Sequence, residues 1–373
     1  MIITLLQSIY DPNRTLPTEV EFYEQVIEDI EHFAVSSQVY WLLKEQDRLS
    51  QTPAFFRERL KRKYEEALYQ SMFIKNQLEQ ILNKMEEMKI EVIPMKGVTF
   101  AEKYFGYFGA RWTSDIDLLI KPAQVEQAIA CVKELSFTTE DSRDMFSYDY
   151  GFSKILPGSP FSVPVELHVD ILRRDTSKLE IADFWKDAAP YQSYSYVKEF
   201  SDLHTFYMIC LHGWKHSFTS MKYFIDIMQL MYTMHESLNY KELFQMAAAH
   251  KTVKRMKNTL STVYTQFPQL EEILPYPFRK THTKWWSYQA IRRAEMKEMT
   301  PWHYMVMLYS VSIDFDQASH GFTTLQRMIL PSKESISFSL GHPCTRGELL
   351  AEYAKIYRRR LHKLSRACFS VLK

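Results

Sequence analysis

A chain of 373 residues with 46% apolar and 24% charged side chains can bury one large or two ordinary cores, and nine glycines are too few for a loop-rich or fibrous protein. The 46 basic and 45 acidic residues leave a formal charge of +1, which excludes a global field drawing the chain onto nucleic acid or anionic lipid; any anion it binds must be met locally. No apolar run approaches the roughly 18 residues of a membrane span, the opening MIITLLQSIYDP has no basic leader or cleavage site, and Cys131, Cys210, Cys344 and Cys368 show no CxxC spacing, so the expectation is a soluble, cytoplasmic protein with reduced thiols.

From about Glu19 to Met88 apolar residues recur at helical spacing, first at Phe22, Val26, Ile30 and Phe33, later at Leu68, Met72, Leu78, Ile81 and Leu82, with Pro53 separating two helical stretches. The texture changes at IEVIPM, a short β-branched run that reads as a strand and leads through Lys96-Gly97 into the helical VTFAEKYF. DIDLLI, Asp115 to Ile120, alternates as a strand does, and KPAQVEQAIACVKEL behind it reads as a helix with proline in its first turn. Between Phe146 and Asp170, two aromatic and β-branched runs flank Pro157-Gly158-Ser159-Pro160, the pattern of a hairpin. Helical periodicity returns at about Asp202. The expected fold is therefore α+β: a helical region over residues 1–88, a small mixed sheet with its helices over 89–200, and a helical region over 201–373 that completes a cleft.

The chemistry concentrates in DIDLLI. On a strand, positions i and i+2 leave the same face, so Asp115 and Asp117 converge while Ile116, Leu118 and Ile120 point into the core. Two adjacent carboxyl groups are hard to ionise together without a cation, and hard oxygen ligands suit Mg2+. VELHVD offers a further acid on one alternating face, Glu166, His168 or Asp170, and Glu166 is the expected third carboxylate. Lys96 and Gly97 stand at a strand exit before a helix, where backbone amides hold phosphate oxygens. Arg111, four residues before Asp115, is suited to a triphosphate or to orienting the aspartates. In HGWKHSFTSMKYFID, Lys215, Lys222 and Asp226 fall within one stripe of a helix if Ser217 to Ser220 do not break it. His212 and His216 have metal-ligand spacing, but no HExxH glutamate accompanies them, so a core or supporting role is expected.

Taken in order, PMKG, RWTSDIDLLI, VELHVD and a His-rich helix ending in FID resemble a family of bacterial nucleotidyltransferases within the polymerase-β-like superfamily, over roughly Ile90 to Met234. The resemblance implies that Asp115, Asp117 and Glu166 bind metal, Mg2+ with Mn2+ as a substitute, and that Lys96 and Gly97 stand for the superfamily's glycine-serine loop. It also implies an enzyme that takes a nucleoside triphosphate such as ATP. Nucleotide contacts are expected from Lys96, Gly97, Arg111, Lys215, Lys222 and Asp226. One departure is Val98 where the superfamily loop has serine or glycine. Another is glutamate as the third acid in place of the more usual aspartate.

The expected reaction is transfer of a nucleoside monophosphate to a hydroxyl or phosphate acceptor, a peptide or small molecule ahead of nucleic acid. Two alternatives stay open. One is a toxin-like transferase acting on tRNA or protein, favoured by Arg358, Arg359, Arg360, Lys363 and Arg366 near the C-terminus; the other is a degenerate nucleotide- or peptide-binding protein, favoured by Val98. Of the aromatic residues after Leu260, Trp285, Trp286, Trp302 and Tyr304 are expected mostly in the core.

Overall fold

The computed structural model describes residues 1–11, 13–139, 149–155, 162–280, 286–295, 313–329 and 344–371, with Tyr309, Lys333, Ile336 and His342 between them. Four helices come first: α1 (Ile2–Ile9), α2 (Val20–His32), α3 (Ser36–Glu45) and α4 (Ala54–Glu87). Pro53 caps α4 as its position suggested. A second break, at Ala34 with φ of 51°, divides what the apolar periodicity alone ran together. The 34 residues of α4 extend about 50 Å. Its first half buries Phe56 and Leu60 among the other helices, while its second half lays Ile74, Leu78, Ile81, Leu82 and Met85 under the sheet.

The sheet contains β1 (Val92–Pro94), β2 (Ile116–Ile120), β3 (Thr138–Thr139), β4 (Asp149–Ile155) and β5 (Ser162–His168), in the order β1-β2-β5-β4-β3. Helix α5 (Val98–Phe105) follows β1, and α6 (Val125–Glu134) follows β2 through the short 3-10 turn Pro122–Gln124. Both strand-helix units read from the sequence are present. Strands β4 and β5 pair antiparallel as the hairpin pattern requires; the turn at Pro157 to Pro160 lies outside the described residues. The central pair, β2 with β5, is parallel and aligns Asp117 with Glu166.

One face of this sheet is fully apolar. Ile116, Leu118 and Ile120 of β2 and Val163, Val165 and Leu167 of β5 join α4 and α6 in one buried cluster. On the other face Ile93 and Leu119 belong to a second cluster, shared by the N-terminal helices and those after Asp202. Both faces are thus covered, which is why all five positions of β2 are buried rather than alternating wet and dry. Beyond the sheet lie α7 (Ile181–Lys186), the two-stranded ribbon β6 (Ala189–Pro190) with β7 (Lys198–Glu199), and then further helices that begin with α8 (Asp202–Lys215), α9 (Met221–Met234), α10 (Tyr240–His250) and α11 (Val253–Gln266). No helix among the described residues is long and apolar enough to cross a membrane.

Candidate active site

Strand β2 begins at Ile116, so Asp115 is the last residue of the approach to the strand and Asp117 its second member. Asp117 is 2% exposed, Asp115 partly open to solvent. The parallel register sets Glu166 beside Asp117, and His168, two residues on, reaches the same place. His168 Nε2 lies 2.9 Å from Asp117 Oδ1 and 3.3 Å from Glu166 Oε2. Both neighbours are carboxylate oxygens, so this nitrogen carries the proton and donates to them. Among the described residues Asp117, Glu166 and His168 are grouped closely enough to hold a metal ion, their ligand atoms all within 4.8 Å of one another.

The Lys96-Gly97 turn abuts this group. Met95 N–H donates to Asp117 O at 3.0 Å, tying the end of β1 to β2 next to the turn. Gly97 has φ of 83° and ψ of −135°, a region open in practice to glycine alone. A Cβ there would meet Thr113 Oγ1 at 3.5 Å and Asp115 O at 3.6 Å, ordinary contacts, so conformation rather than space requires glycine. Helix α5 starts directly after it without a side-chain cap. Val98 is buried in the core beneath the sheet, and the hydroxyl of Thr99 donates to Lys96 O at 3.3 Å. The loop therefore offers backbone groups to a ligand where a serine would add a hydroxyl.

Lys96 is the cation of the site. Its Nζ lies 2.8 Å from Asp117 Oδ2 and 3.8 Å from Asp115 Oδ2. The shorter contact is off the hydrogen-bonding direction, so Oδ2 of Asp117 is buried with an ionic neighbour but no aligned donor. Burial disfavours ionisation of Asp117, yet Lys96 and His168 outweigh it and hold the carboxyl far below the usual range. Burial likewise opposes the charge on Lys96, and Asp117 and Asp115 together raise its pKa instead.

The helical wall is arranged differently from the expected stripe. Helix α8 ends at Lys215, and Ser217 and Phe218 follow with φ of 51° and 50°. Phe218 N–H donates to Gly213 O at 3.0 Å and Ser217 N–H to Trp214 O at 2.8 Å, closing the helix before Ser220 caps α9 through Lys222 N–H. A continuous stripe through Lys215, Lys222 and Asp226 is thus excluded: the first is an exposed residue closing one helix, the other two belong to the next. The break is held from the C-terminal side. Trp286 Nε1 donates to Phe218 O at 3.2 Å, and Trp214 Nε1 to Asp314 Oδ2 at 3.2 Å. Trp286 is buried as expected, while Trp285, Trp302 and Tyr304 lie outside the described residues.

Arg111 and Asp226, to which the sequence reading gives separate contacts with nucleotide, form one pair. Arg111 Nε and Nη2 donate to the two carboxylate oxygens of Asp226, each at 2.7 Å, and both residues are almost wholly buried. Phe100 covers the guanidinium, its ring centre 5.3 Å from Cζ. Lys222, half-buried, holds its Nζ 5.3 Å from the ring centre of Trp112. Burial pushes its ammonium group down to about 7, and Arg111 adds to the effect. His216 stacks on Tyr223 at 5.5 Å and 5°, with the His212 ring 4.6 Å away. Burial, then Lys215 and Lys96, hold the His216 imidazole down at about 4. Among the described residues neither histidine belongs to the group formed by Asp117, Glu166 and His168. Asp170, the other acid of VELHVD, is not in that group and accepts from Ile171 N–H at 2.9 Å and Leu172 N–H at 3.4 Å.

Two features escaped the sequence. The role of His168 was visible only as its i+2 spacing from Glu166 on one strand face. The union of Arg111 with Asp226, separated by 115 residues, left no local signal.

A family model described as an uncharacterised nucleotidyltransferase matches residues 24–267. The chain belongs to this family of nucleotidyltransferases. No curated protein and no solved structure matches it. The matched span holds β1 to β5, both strand-helix units, the carboxylate group and the α8–α9 break, so every site feature of this nucleotidyltransferase described above, apart from the two C-terminal braces, falls inside it. Membership makes the protein a transferase and a nucleoside triphosphate its substrate class.

Proposed function

We propose that this nucleotidyltransferase moves a nucleoside monophosphate from a nucleoside triphosphate to a hydroxyl or phosphate group of a peptide or small-molecule acceptor, releasing pyrophosphate, with Mg2+ as its ion and the cytoplasm as its setting. One observation carries the reading. Asp117, buried, faces Glu166 across a parallel strand pair, and Asp115 and the Lys96-Gly97 turn share that edge.

The side chains suit a hard divalent cation. Asp115 and Asp117 face the ammonium of Lys96, Glu166 lies beside Asp117 across the strand pair, and Oδ2 of Asp117 is a buried acceptor without an aligned donor. Those three acids would hold the ion, which when bound activates the attacking oxygen and stabilises the departing pyrophosphate. His168 keeps Asp117 Oδ1 occupied and so leaves Oδ2 as the oxygen available to the ion. Lys96, the uncapped start of α5 after Gly97, and Lys222 are the groups assigned to the phosphates, with Lys215 at the rim. Arg111 and Asp226 fix the wall from which Lys222 projects; their mutual pairing leaves them a positioning role.

The test is to incubate the purified chain with each α-labelled nucleoside triphosphate, Mg2+ and a cell extract, then to follow label and pyrophosphate. Label in a peptide or small molecule supports the proposal. Label in RNA or protein moves the acceptor to the toxin-like alternative. That alternative rests on basic residues of the helix Arg346–Val371, of which Arg358 is exposed and the side chains from 359 onward lie outside the described residues. A binding protein without turnover is the second reading, favoured by buried Val98 and by Thr99 turned onto Lys96 O. Nucleotide bound without pyrophosphate release, across acceptors, would select it.

A further inference from the structure

The carboxylates of this site are already bridged by the protein's own groups. Lys96 Nζ stands between Asp115 Oδ2 and Asp117 Oδ2, at 3.8 and 2.8 Å, and His168 Nε2 stands between Asp117 Oδ1 and Glu166 Oε2. An ion held by Asp115 and Asp117 together would need the space the ammonium now takes. It would also meet that ammonium's positive charge at close range. The two bridges differ in quality. His168 makes a hydrogen bond to Asp117, whereas the Lys96 contact lies off the hydrogen-bonding direction. Lysine is a point charge on a flexible stem, held here by attraction more than by orientation. Directly after it come Gly97 and the uncapped first turn of α5, so a phosphate group at that turn would lie within reach of the same side chain.

We propose that Lys96 is a resident counter-ion, which holds Asp115 and Asp117 together in the resting enzyme and passes to the phosphates of an incoming nucleotide, so that the site takes its divalent ion with nucleotide and not before it. This rests on the metal-site reading above and adds an order of events to it. Lys96 offsets charge in a pocket that would otherwise hold adjacent, uncompensated carboxylates, a costly arrangement. Nucleotide gives the ammonium another anion and frees the position. By linkage, nucleotide then raises affinity for the ion by the same factor as the ion raises affinity for nucleotide.

The test is Mn2+ binding by equilibrium dialysis, on the full chain, without substrate turnover. Wild type, Lys96→Met and Lys96→Arg are each measured with Mn2+ alone. They are measured again with a mixture of the four α,β-methylene nucleoside triphosphates, counting ion bound to protein above that carried by free nucleotide. With Mn2+ alone, Lys96→Met is expected to bind on the order of tenfold or more tightly than wild type, because the competing charge is gone, and Lys96→Arg to stay weak. With nucleotide present, wild type is expected to gain roughly tenfold or more and Lys96→Met much less. Equal Mn2+ affinity of wild type and Lys96→Met without nucleotide would overturn the counter-ion proposal while leaving the metal site intact. No Mn2+ bound by any form, with or without nucleotide, would overturn the metal site itself and the proposal with it. Should Lys96→Met fail to fold, wild type alone still decides: Mn2+ affinity indifferent to nucleotide overturns the proposal.

Discussion

Two buried acid-base contacts lie close together in this molecule and are built in opposite ways. On the helical wall, Arg111 meets Asp226 through two parallel hydrogen bonds of 2.7 Å, under the ring of Phe100. At the sheet edge, Lys96 meets Asp117 at 2.8 Å without alignment and leans toward Asp115 as well. The first is a fork closed at the carboxylate: a planar guanidinium satisfies both oxygens of Asp226, while its buried Nη1 has no hydrogen-bond partner among the described residues. The second is a point charge among several acids, with a lone pair of Asp117 left over. A closed pair fixes geometry; an open one can exchange its partner. Under the function proposed above, the contrast separates the contact that holds shape from the one assigned to ligands.

Asp117→Asn bears hardest on the open side. Turnover is expected to fall by on the order of a thousandfold or more while the far-ultraviolet circular dichroism is preserved, since ion positioning carries most of this chemistry. Undiminished turnover would remove Asp117 from the site. Arg111→Met addresses the closed side, where it leaves Asp226 buried without its partner. A stability loss of about 3 to 5 kcal/mol is expected in urea melts, and pairing the change with Asp226→Leu should recover much of it. Additive losses would mean the two residues are not coupled.

Smaller effects sharpen the same division. Gly97→Ala forces a side chain into a backbone conformation that costs about 1 to 3 kcal/mol, and its effect should fall on nucleotide affinity more than on thermal stability if the turn is a phosphate seat. Equal KM in the variant would make the turn merely structural. Lys222 supplies a pH test. Its ammonium group is pushed down to about 7 in the folded protein, against about 10.4 for a free lysine. Phosphate prefers the protonated form, so nucleotide affinity should be full below pH 7 and decline as pH rises through it, by roughly tenfold per unit above that point in the limit of one obligatory proton. Lys222→Arg, charged throughout, should flatten the profile. For the free protein the sign reverses. The folded chain releases a proton that the unfolded one keeps, so this group's contribution to stability increases between about pH 7 and 10.

Much of the sheet was legible because strand chemistry is local. The i, i+2 rule applies to Glu166 and His168 within their strand, but Asp115 and Asp170 fall just outside the strands the rule assumed, and glycine after lysine marked the strand-to-helix turn. The parallel alignment of Asp117 with Glu166 was legible only as an inference from chemistry, since pairing partners leave no mark on either strand. The helical wall was less readable. Its apolar periodicity runs through Ser217 and Phe218, and the break there depends on backbone turns that neither residue announces, braced by Trp286 and Asp314 from distant segments. Arg111 looked like a free cation because nothing within its own stretch of chain neutralises it. Its partner comes from α9, 115 residues further along the chain.

The most direct measurement is a crystal grown with Mn2+ and an α,β-methylene nucleoside triphosphate, examined by anomalous scattering. The account predicts a peak at about 2.0 to 2.3 Å from Oδ2 of Asp117, shared with Asp115 or Glu166, with Lys96 moved onto phosphate. An anomalous map without a peak there, or with its ion at His212 and His216 instead, would contradict it.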